Sequence, residues 1–262
     1  MRRLRSNLSV IGALGIRSVK QTFRRPQLMA PIIVFPTLLL AIQTGGAGRA
    51  VDLAAFPEVN GFLDFMLAGA MIQSTLLAGN SGGIALALDL EMGFTDRLFA
   101  APISRFAIII GRLIGTFVLG AAAAVWFLAI GLAFGATIEG GVSGALLIIV
   151  LVALSAVAFG GLGAAIALRA GRVSVVQGLF PLVFVILFLS SAFFPANLML
   201  DPASTVAEYN PLSFIVEAVR DLITTSLTVE ALAEALGALA LVGAISSGLA
   251  ALALRRRLRT GG

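Results

Sequence analysis

Residues 91–105 have the sequence EMGFTDRLFAAPISR, a short charged segment that separates two long apolar stretches. Leu90, Phe94 and Leu98 follow one another at i, i+4 and i+8, which predicts an amphipathic helix with one apolar ridge. Gly93 would permit close backbone approach, and Pro102 would end the helix. Such a helix at the end of a membrane span is expected in the aqueous phase, either on the membrane surface or in a groove of a soluble partner.

The stretches on both sides belong to a chain made mainly of hydrophobic residues. Of its 262 residues, 59% are hydrophobic and only 12% are charged, and the mean hydropathy is +1.06. Soluble domains carry about 25% charged residues. The composition therefore predicts an all-α integral membrane protein.

Six membrane-spanning helices are predicted from hydropathy windows of about 19 residues. They cover residues 27–43, 61–88, 106–135, 143–168, 175–194 and 231–254, so that residues 27–262 form one transmembrane domain. Residues 195–230 contain three prolines and five acidic residues. That composition predicts an external lid of short or re-entrant helices rather than another span.

The basic residues predict the orientation of the chain in the membrane. Sixteen of the 18 Arg and Lys residues fall on the side that holds both termini and residues 91–105, whereas ten of the 13 acidic residues fall on the other side. By the positive-inside rule, both termini are predicted to be cytoplasmic. An even number of spans agrees with this arrangement.

Residues 1–26 are predicted to form an amphipathic helix at the inner surface of the membrane. Leu8 and Phe23 share one face, and Arg17, Lys20 and Arg24 share another. A secretory signal is disfavoured, because no small-residue cleavage site follows the apolar run. The helix either anchors the topology or passes motion to the first span.

The missing residue types exclude several classes of chemistry. The chain has no His and no Cys, which excludes Cys/His zinc sites, Cys nucleophiles and His-based acid–base catalysis. Lys20 is its only lysine and stands outside any phosphate-binding loop motif. Asp89 and Glu91 are two residues apart, a poor spacing for a Mg²⁺ site. We therefore expect no enzyme activity, metal or cofactor in this chain.

Polar and small residues inside the spans have two interpretations. Gln73 and Asn80 are seven residues apart on one face of the second span, and Gln177 stands near the inner end of the fifth. These side chains either form interhelical hydrogen bonds or line a translocation cavity. The glycine pairs 111/115 and 131/135 are predicted to be helix-packing sites.

Two motifs of this chain resemble those of one transporter family. Residues 91–105 resemble the E-x-G-x-x-x-R-L-x-x-x-P-x-S-R signature of the permeases of type-2 ABC exporters, which include the daunorubicin-resistance membrane subunits. Residues 210–220, NPLSFIVEAVR, resemble the family's N-P-[LM]-[ST]-[YF]-x-x-[DE]-x-x-R motif. A third, weaker match is Arg24-Arg25-Pro26 before the first span.

The resemblance implies a permease subunit that exports a hydrophobic or amphipathic substrate, a drug or a lipid. A second permease copy or a homologous permease would pair with it in a bacterial cell membrane. Two copies of a separate ATP-binding subunit would bind ATP and Mg²⁺. The implied contact region for that subunit is Leu90, Glu91, Gly93, Phe94, Arg97, Leu98 and Pro102. The implied external gate is Phe193, Phe194, Pro195, Asn210, Pro211, Glu217 and Arg220.

Other functions compatible with the sequence are export of a lipid-linked glycan and a membrane scaffold or channel that does not use ATP. Within the gate region, Glu217 and Asp221 stand one helical turn apart with Arg220 between them. Arg220 either neutralises Glu217 on a partly buried helix or acts as a latch that rearranges during release.

Overall fold

The computed structural model describes residues 2–24, 26–95, 98 and 105–260 of the chain. The described residues form helices and turns and contain no strand, which confirms the all-α prediction. The α-helices of the described residues are α1 (Arg2–Phe23), α2 (Pro26–Ala47), α3 (Phe62–Glu91), α4 (Arg105–Ala133), α5 (Gly141–Ala170), α6 (Val173–Gln177), α7 (Phe180–Phe188), α8 (Ala203–Tyr209), α9 (Pro211–Thr224) and α10 (Val229–Thr260). Two 3₁₀ turns, Gly48–Asp52 and Ala196–Leu198, lie in the loops.

Among the described residues, five helices are long and apolar enough to cross a membrane, namely α2, α3, α4, α5 and α10. They lie on the predicted spans 27–43, 61–88, 106–135, 143–168 and 231–254, and most extend a few residues beyond them. The length of each apolar stretch sets this result, because about 20 helical residues cross the hydrocarbon core. The chain is therefore a multi-pass membrane protein.

The span predicted at residues 175–194 is not one continuous helix. It contains the short helices α6 and α7, separated by Gly178 and Leu179, and residues 189–194 are turns. Pro181 lies in the first turn of α7, where its missing amide hydrogen costs nothing. The same residue would break a helix continuing from α6. A sixth crossing through α6 and α7 stays a prediction.

Helix α3 is the central helix of the bundle. In its most apolar stretch, 94% of the residues are buried, compared with 17% in α2 and 33% in α10. It packs against α2, α4, α5 and α9, and α5 in turn packs against α4 and α10. We call the end of the bundle where α3 ends the inner end, and the end where α3 begins the outer end.

Glycines bring α3 and α5 into close contact near the middle of the bundle. A Cβ atom on Gly79 would lie 2.8 Å from the backbone nitrogen of Gly160, and one on Gly83 would lie 2.8 Å from the Cα of Gly163. Because the colliding atoms are backbone atoms, no side-chain rotation would relieve the clash. Small residues are what close helix crossings in membranes require.

Replacing Gly83 by alanine is therefore expected to separate α3 from α5 and to destabilise the protein by about 1–3 kcal/mol. The matched control is Gly237→Ala on α10, where no described atom lies within 4 Å of the added methyl group. Alanine there should be neutral or stabilising, since it favours the helix over glycine. Thermal unfolding of the detergent-solubilised protein measures both effects. Equal stability of the two variants would contradict close packing at Gly83.

The glycine pairs predicted to be packing sites give a mixed result. A Cβ on Gly111 would lie 2.6 Å from the Cβ of Leu14, and Gly115 faces Ser18, so this pair packs α4 against α1. Gly131 contacts Leu67 in the same way. For Gly135 the prediction is wrong. Its φ of +90° follows the end of α4, and no described atom lies within 4 Å of its added methyl position.

Helix α1 lies along the first half of α4 and also contacts α2. Leu14, Gly15 and Ser18 face α4, and the Ser18 hydroxyl donates to the Arg112 carbonyl at 3.2 Å. On the side away from α4, Leu8 and Ile16 are 66% and 60% exposed. Helix α1 is thus attached along one face and open along the other, which is compatible with its predicted place at the membrane interface.

Candidate functional site

A buried carboxylate joins three helices at the inner end of the bundle. Asp89 lies near the end of α3 with its side chain fully buried. Arg17 of α1 donates to both of its oxygens, Nη1 to Oδ2 at 3.0 Å and Nη2 to Oδ1 at 3.3 Å. Arg112 of α4 forms a second ion pair with Oδ2, and Gln21 Nε2 donates to Oδ1 at 3.3 Å. The ends of α1, α3 and α4 are therefore held together by charge-assisted hydrogen bonds.

The chain turns sharply directly after this carboxylate. Gly93 has a φ of +65° in the turn that ends α3 at Glu91, and no described atom lies within 4 Å of its added methyl position. Its role is the left-handed backbone conformation. The close backbone approach predicted for Gly93 is not observed.

Glu91 and Phe94 connect this turn to two other helices. The Glu91 carboxylate Oε1 accepts a hydrogen bond from the Val173 backbone amide at 2.8 Å, and Val173 is the first residue of α6. The guanidinium carbon of Arg17 lies 3.8 Å from the centroid of the Phe94 ring, which is a cation–π contact. A displacement of the turn would therefore reach α6 through Glu91 and α1 through Phe94.

The continuous ridge predicted for Leu90, Phe94 and Leu98 is wrong, because the helix is interrupted between Glu91 and Phe94. Leu90 is only 4% exposed and packs within the chain, with Leu86, Leu168 and Val176 in the same apolar cluster. Leu98 and Phe94 line a small cavity next to Arg112. Arg97 and Pro102 lie outside the described residues. In the described part of the turn, the exposed apolar side chain is Met92, which is 56% exposed.

The residues of the second motif, 210–220, lie at the outer end, where Arg220 is buried. The Arg220 side chain pairs with Glu217 at 2.6 Å and donates from Nη2 to the Ser191 carbonyl at 2.8 Å. Its Nε donates to the Phe65 carbonyl at 3.4 Å, and its guanidinium carbon lies 3.9 Å from the centroid of the Phe65 ring. Arg220 thus ties α9 to α3 and to the turn after α7. The predicted Glu217–Arg220 pairing is observed.

Asn210 and Pro211 set the beginning of α9. The Asn210 carbonyl Oδ1 accepts a hydrogen bond from the Leu212 amide at 3.0 Å, which makes Asn210 the N-cap of α9. Its Nδ2 donates to the carbonyls of Ile186 at 3.0 Å and Leu189 at 2.7 Å, at the end of α7. Pro211 occupies the first helical position, where proline is favoured. One amide side chain therefore joins the ends of two helices.

The turn that Arg220 holds, directly after the α7 end bonded by Asn210, is itself buried. Ser190, Ser191, Ala192 and Phe193 are at most 4% exposed. The Phe193 ring lies 5.2 Å from the ring of Phe188. Of the other predicted gate residues, Pro195 is buried and Phe194 is 54% exposed. The seven predicted gate residues thus lie on two segments, 193–195 after α7 and 210–220 at and within α9, and Phe194 and Glu217 among them reach the surface.

Asp221 adds a second acidic group beside Arg220. Burial raises the pKa of the Asp221 carboxyl above its ordinary value, and the charge of Glu217 raises it further, while Arg220 acts in the opposite direction. The folded protein therefore binds this proton more tightly than the unfolded chain does. The contribution of Asp221 to stability is lost as the pH rises from its ordinary pKa through the raised pKa of the folded state.

The predicted cavity residues separate into two environments. Asn80 and Gln177 line one groove of about 380 Å³, together with Gln27, Ser81 and the apolar side chains of Pro31, Leu77 and Ile84. Gln73 does not reach this groove. Its side chain is completely buried, and neither of its amide atoms has a hydrogen-bond partner in the described structure. Interhelical hydrogen bonding of Gln73 is therefore not observed.

The sequence did not indicate the pairing of Arg17 and Arg112 with Asp89, nor the contacts of Arg220 with Phe65 and Ser191. The feature of the sequence that could have indicated the Asp89 pairing was Arg112, a single cation within an apolar stretch. Such a group requires a counter-charge when it faces protein. Asp89 occurs at a corresponding depth near the inner end of the preceding span.

Comparison with known proteins places both groups of residues within one family. The family model described as ABC-2 type transporter matches residues 9–224 of the chain. The chain belongs to the ABC-2 type transporter family. The resemblance to type-2 ABC exporter permeases seen in residues 91–105 and 210–220 is thereby confirmed.

Two relatives have names that describe permeases. A provisionally named transport permease, ycf38, of Pyropia yezoensis is 26% identical over 222 residues, which cover 84% of this chain and 76% of the relative. The daunorubicin resistance ABC transporter permease protein DrrB1 of Streptomyces coeruleorubidus is 25% identical over 199 residues, which cover 76% of this chain and 69% of the relative.

The part of this ABC-2 chain that matches the family contains both sites. It begins within α1, eight residues before Arg17, and ends at Thr224, the last residue of α9. The Asp89 ion pairs and the buried Arg220 therefore lie inside the family domain, whereas α10 lies beyond the match. Members of this family are transmembrane transport subunits that normally work with an ABC ATP-binding subunit.

Proposed function

We propose that this chain is the permease subunit of an ATP-driven exporter for a hydrophobic or amphipathic substrate, powered by a separate ATP-binding subunit. The observation that carries the proposal is the ABC-2 family match over residues 9–224. The name of the DrrB1 relative, a resistance permease, supports drug efflux as the type of activity. ATP and Mg²⁺ would bind to the partner subunit.

The turn after α3 is the proposed contact for the ATP-binding subunit. Met92 is exposed there, Phe94 is half-buried, and Glu91 is exposed while it holds the beginning of α6. Force applied at this turn would pass to α6 through the Glu91 carboxylate and to α1 and α4 through the Asp89 ion pairs. The proposed coupling element is therefore a turn that is bonded to α1, α4 and α6. It replaces the predicted helix with an exposed apolar ridge.

The groove lined by Asn80 and Gln177 is the proposed entry site for substrate. Its lining combines three carboxamides and one hydroxyl with the apolar side chains of Pro31, Leu77 and Ile84. Ligand sites commonly use an apolar lining with a few polar groups that set orientation. The described lining carries no ionised side chain, so it favours a substrate whose polar part is neutral and forms hydrogen bonds.

The buried turn at residues 190–193 is the proposed outer gate. Arg220 and Ser213 bond to the backbone of this turn, with the Ser213 hydroxyl accepting from the Ser191 amide at 3.1 Å, and Asn210 holds the end of α7 directly before it. Opening the outer end would have to release these hydrogen bonds together. We further propose that the termini face the cytoplasm and that two permeases assemble with two ATP-binding subunits.

The direct test is purification of the complex from the native membrane, with identification of its subunits and measurement of substrate-stimulated ATPase activity. Phe94→Ala should weaken assembly with the ATP-binding subunit more than about tenfold, since truncating an aromatic anchor at an interface costs about 2 kcal/mol or more. Glu91→Gln should assemble normally but lose most of the stimulated hydrolysis, because it weakens the hydrogen bond to α6 without removing packing.

The matched control is Tyr209→Ala, an aromatic residue that is 73% exposed at the outer end and should not affect assembly. Absence of any co-purifying ATPase would favour a scaffold or channel. If Phe94→Ala and Glu91→Gln both retain wild-type assembly and stimulated hydrolysis, the coupling assignment is wrong. Stimulation by a glycan carried on a lipid, but not by simple amphiphiles, would change the substrate class.

A further inference from the structure

Helix α1, together with Arg24 directly after it, has three distinct faces along residues 8–24. One face, with Leu14, Gly15 and Ser18, packs against α4. A second face is apolar and open, since Leu8, Ile16 and Phe23 are 66%, 60% and 47% exposed. Between these two faces runs a basic strip of Arg17, Lys20 and Arg24. At 100° per residue, the three cations fall within about 60° of the helix circumference.

A groove of about 400 Å³ opens on this basic strip. The described residues that line it are Ala13, Ile16, Arg17, Lys20, Gln21 and Arg24. These residues include three cations and no acid. Lys20 and Arg24 are exposed, so neither charge is shielded from a ligand.

The carboxylate that pairs with Arg17 does not neutralise the groove. Asp89 is fully buried behind Arg17 and is shared between Arg17 and Arg112. Two guanidinium groups therefore face one carboxylate, which leaves one positive charge in excess. The Arg17 side chain is still 38% exposed. The strip thus carries the positive charge of Lys20 and Arg24 and part of that of Arg17.

From this arrangement we infer that α1 binds the headgroup of an anionic phospholipid in this groove. The phosphate would contact Lys20 and Arg24, with the exposed edge of Arg17 at its base. The acyl chains would lie along the neighbouring open apolar face of Leu8, Ile16 and Phe23. A cation strip beside an exposed apolar face matches both parts of such a lipid, whereas a free phosphate ion would use only the cations.

The inference does not depend on the proposed transport function, because it concerns a membrane component and residues outside the turn after α3. The full-length chain, with any subunits that co-purify, is titrated in neutral detergent with phosphatidylglycerol, and bound lipid is counted by native mass spectrometry. The variant Lys20→Gln/Arg24→Gln should bind phosphatidylglycerol about tenfold more weakly or worse. Phosphatidylcholine should bind weakly and equally to both proteins.

The matched control is Arg169→Gln/Arg172→Gln. It removes two exposed cations at the same end of the bundle, outside the groove, and should leave the affinity unchanged. An equal loss in both double variants would show diffuse charge attraction and overturn the site. Glycerol 3-phosphate at millimolar concentration should not displace the lipid. Full displacement would mean a soluble phosphate ligand, and would overturn the lipid assignment.

Three further variants keep the test decisive if the double variant does not fold. Lys20→Arg/Arg24→Lys keeps both charges and should retain wild-type affinity. The single variants Lys20→Gln and Arg24→Gln should each weaken lipid binding severalfold. Wild-type affinity in both single variants would overturn the inference.

Discussion

Replacing Arg220 by alanine is expected to lower the free energy of unfolding by about 3 kcal/mol or more, because it removes several buried interactions at once. The side chain is 4% exposed and bonds to Glu217, to the Ser191 carbonyl and to the Phe65 carbonyl and ring. Alanine leaves the two carbonyls without this donor and leaves a cavity beneath α9. It also removes the cation that lies beside Glu217 and Asp221.

The control for Arg220→Ala is Glu217→Gln, which should cost less than about 1 kcal/mol. The Glu217 side chain is 46% exposed, so water replaces much of what the ion pair contributes, and Arg220 keeps its carbonyl acceptors. Thermal unfolding of the solubilised protein and transport by the assembled complex measure the two variants. Similar, small losses in both would show that Arg220 is not the residue that holds the outer turn.

Replacing Asp89 by asparagine is expected to destabilise the protein by about 3–5 kcal/mol, although the two side chains have nearly the same shape. The variant leaves Arg17 and Arg112 facing each other without a counter-charge, and the Arg112 side chain is only 15% exposed. The inner ends of α1 and α4 should then separate from α3. Loss of substrate-stimulated ATPase activity should accompany the loss of stability.

The control for Asp89→Asn is Arg17→Gln, which should have a clearly smaller effect. Asp89 keeps its ion pair with Arg112 in that variant, and Arg17 is already 38% exposed. Unfolding by denaturant can be followed through Trp126, the only tryptophan of the chain. If Asp89→Asn proves as stable as the wild-type protein, the ion pairs do not hold the inner end together.

The long helices were predictable because hydropathy is a local property. Windows of about 19 residues identified α2, α3, α4, α5 and α10, and the i, i+3 spacing of Glu217 and Arg220 indicated their ion pair. The same local reasoning failed at Leu90, Phe94 and Leu98. Their spacing fits a helix, but Gly93 adopts a left-handed conformation that interrupts it. A pattern of residue spacing does not reveal this interruption, because glycine adopts both the right-handed helical and the left-handed conformation.

The sequence by itself determined the membrane class, the long helices and the family, because apolar length and motif spacing depend on residues close together in the chain. Only the tertiary structure decided the partners of the charged groups. Arg17 is 72 residues from Asp89, and Arg220 is 155 residues from Phe65. Contacts across such separations form only after the helices have packed, and burial of a charged group is unfavourable unless it is paired or hydrogen-bonded.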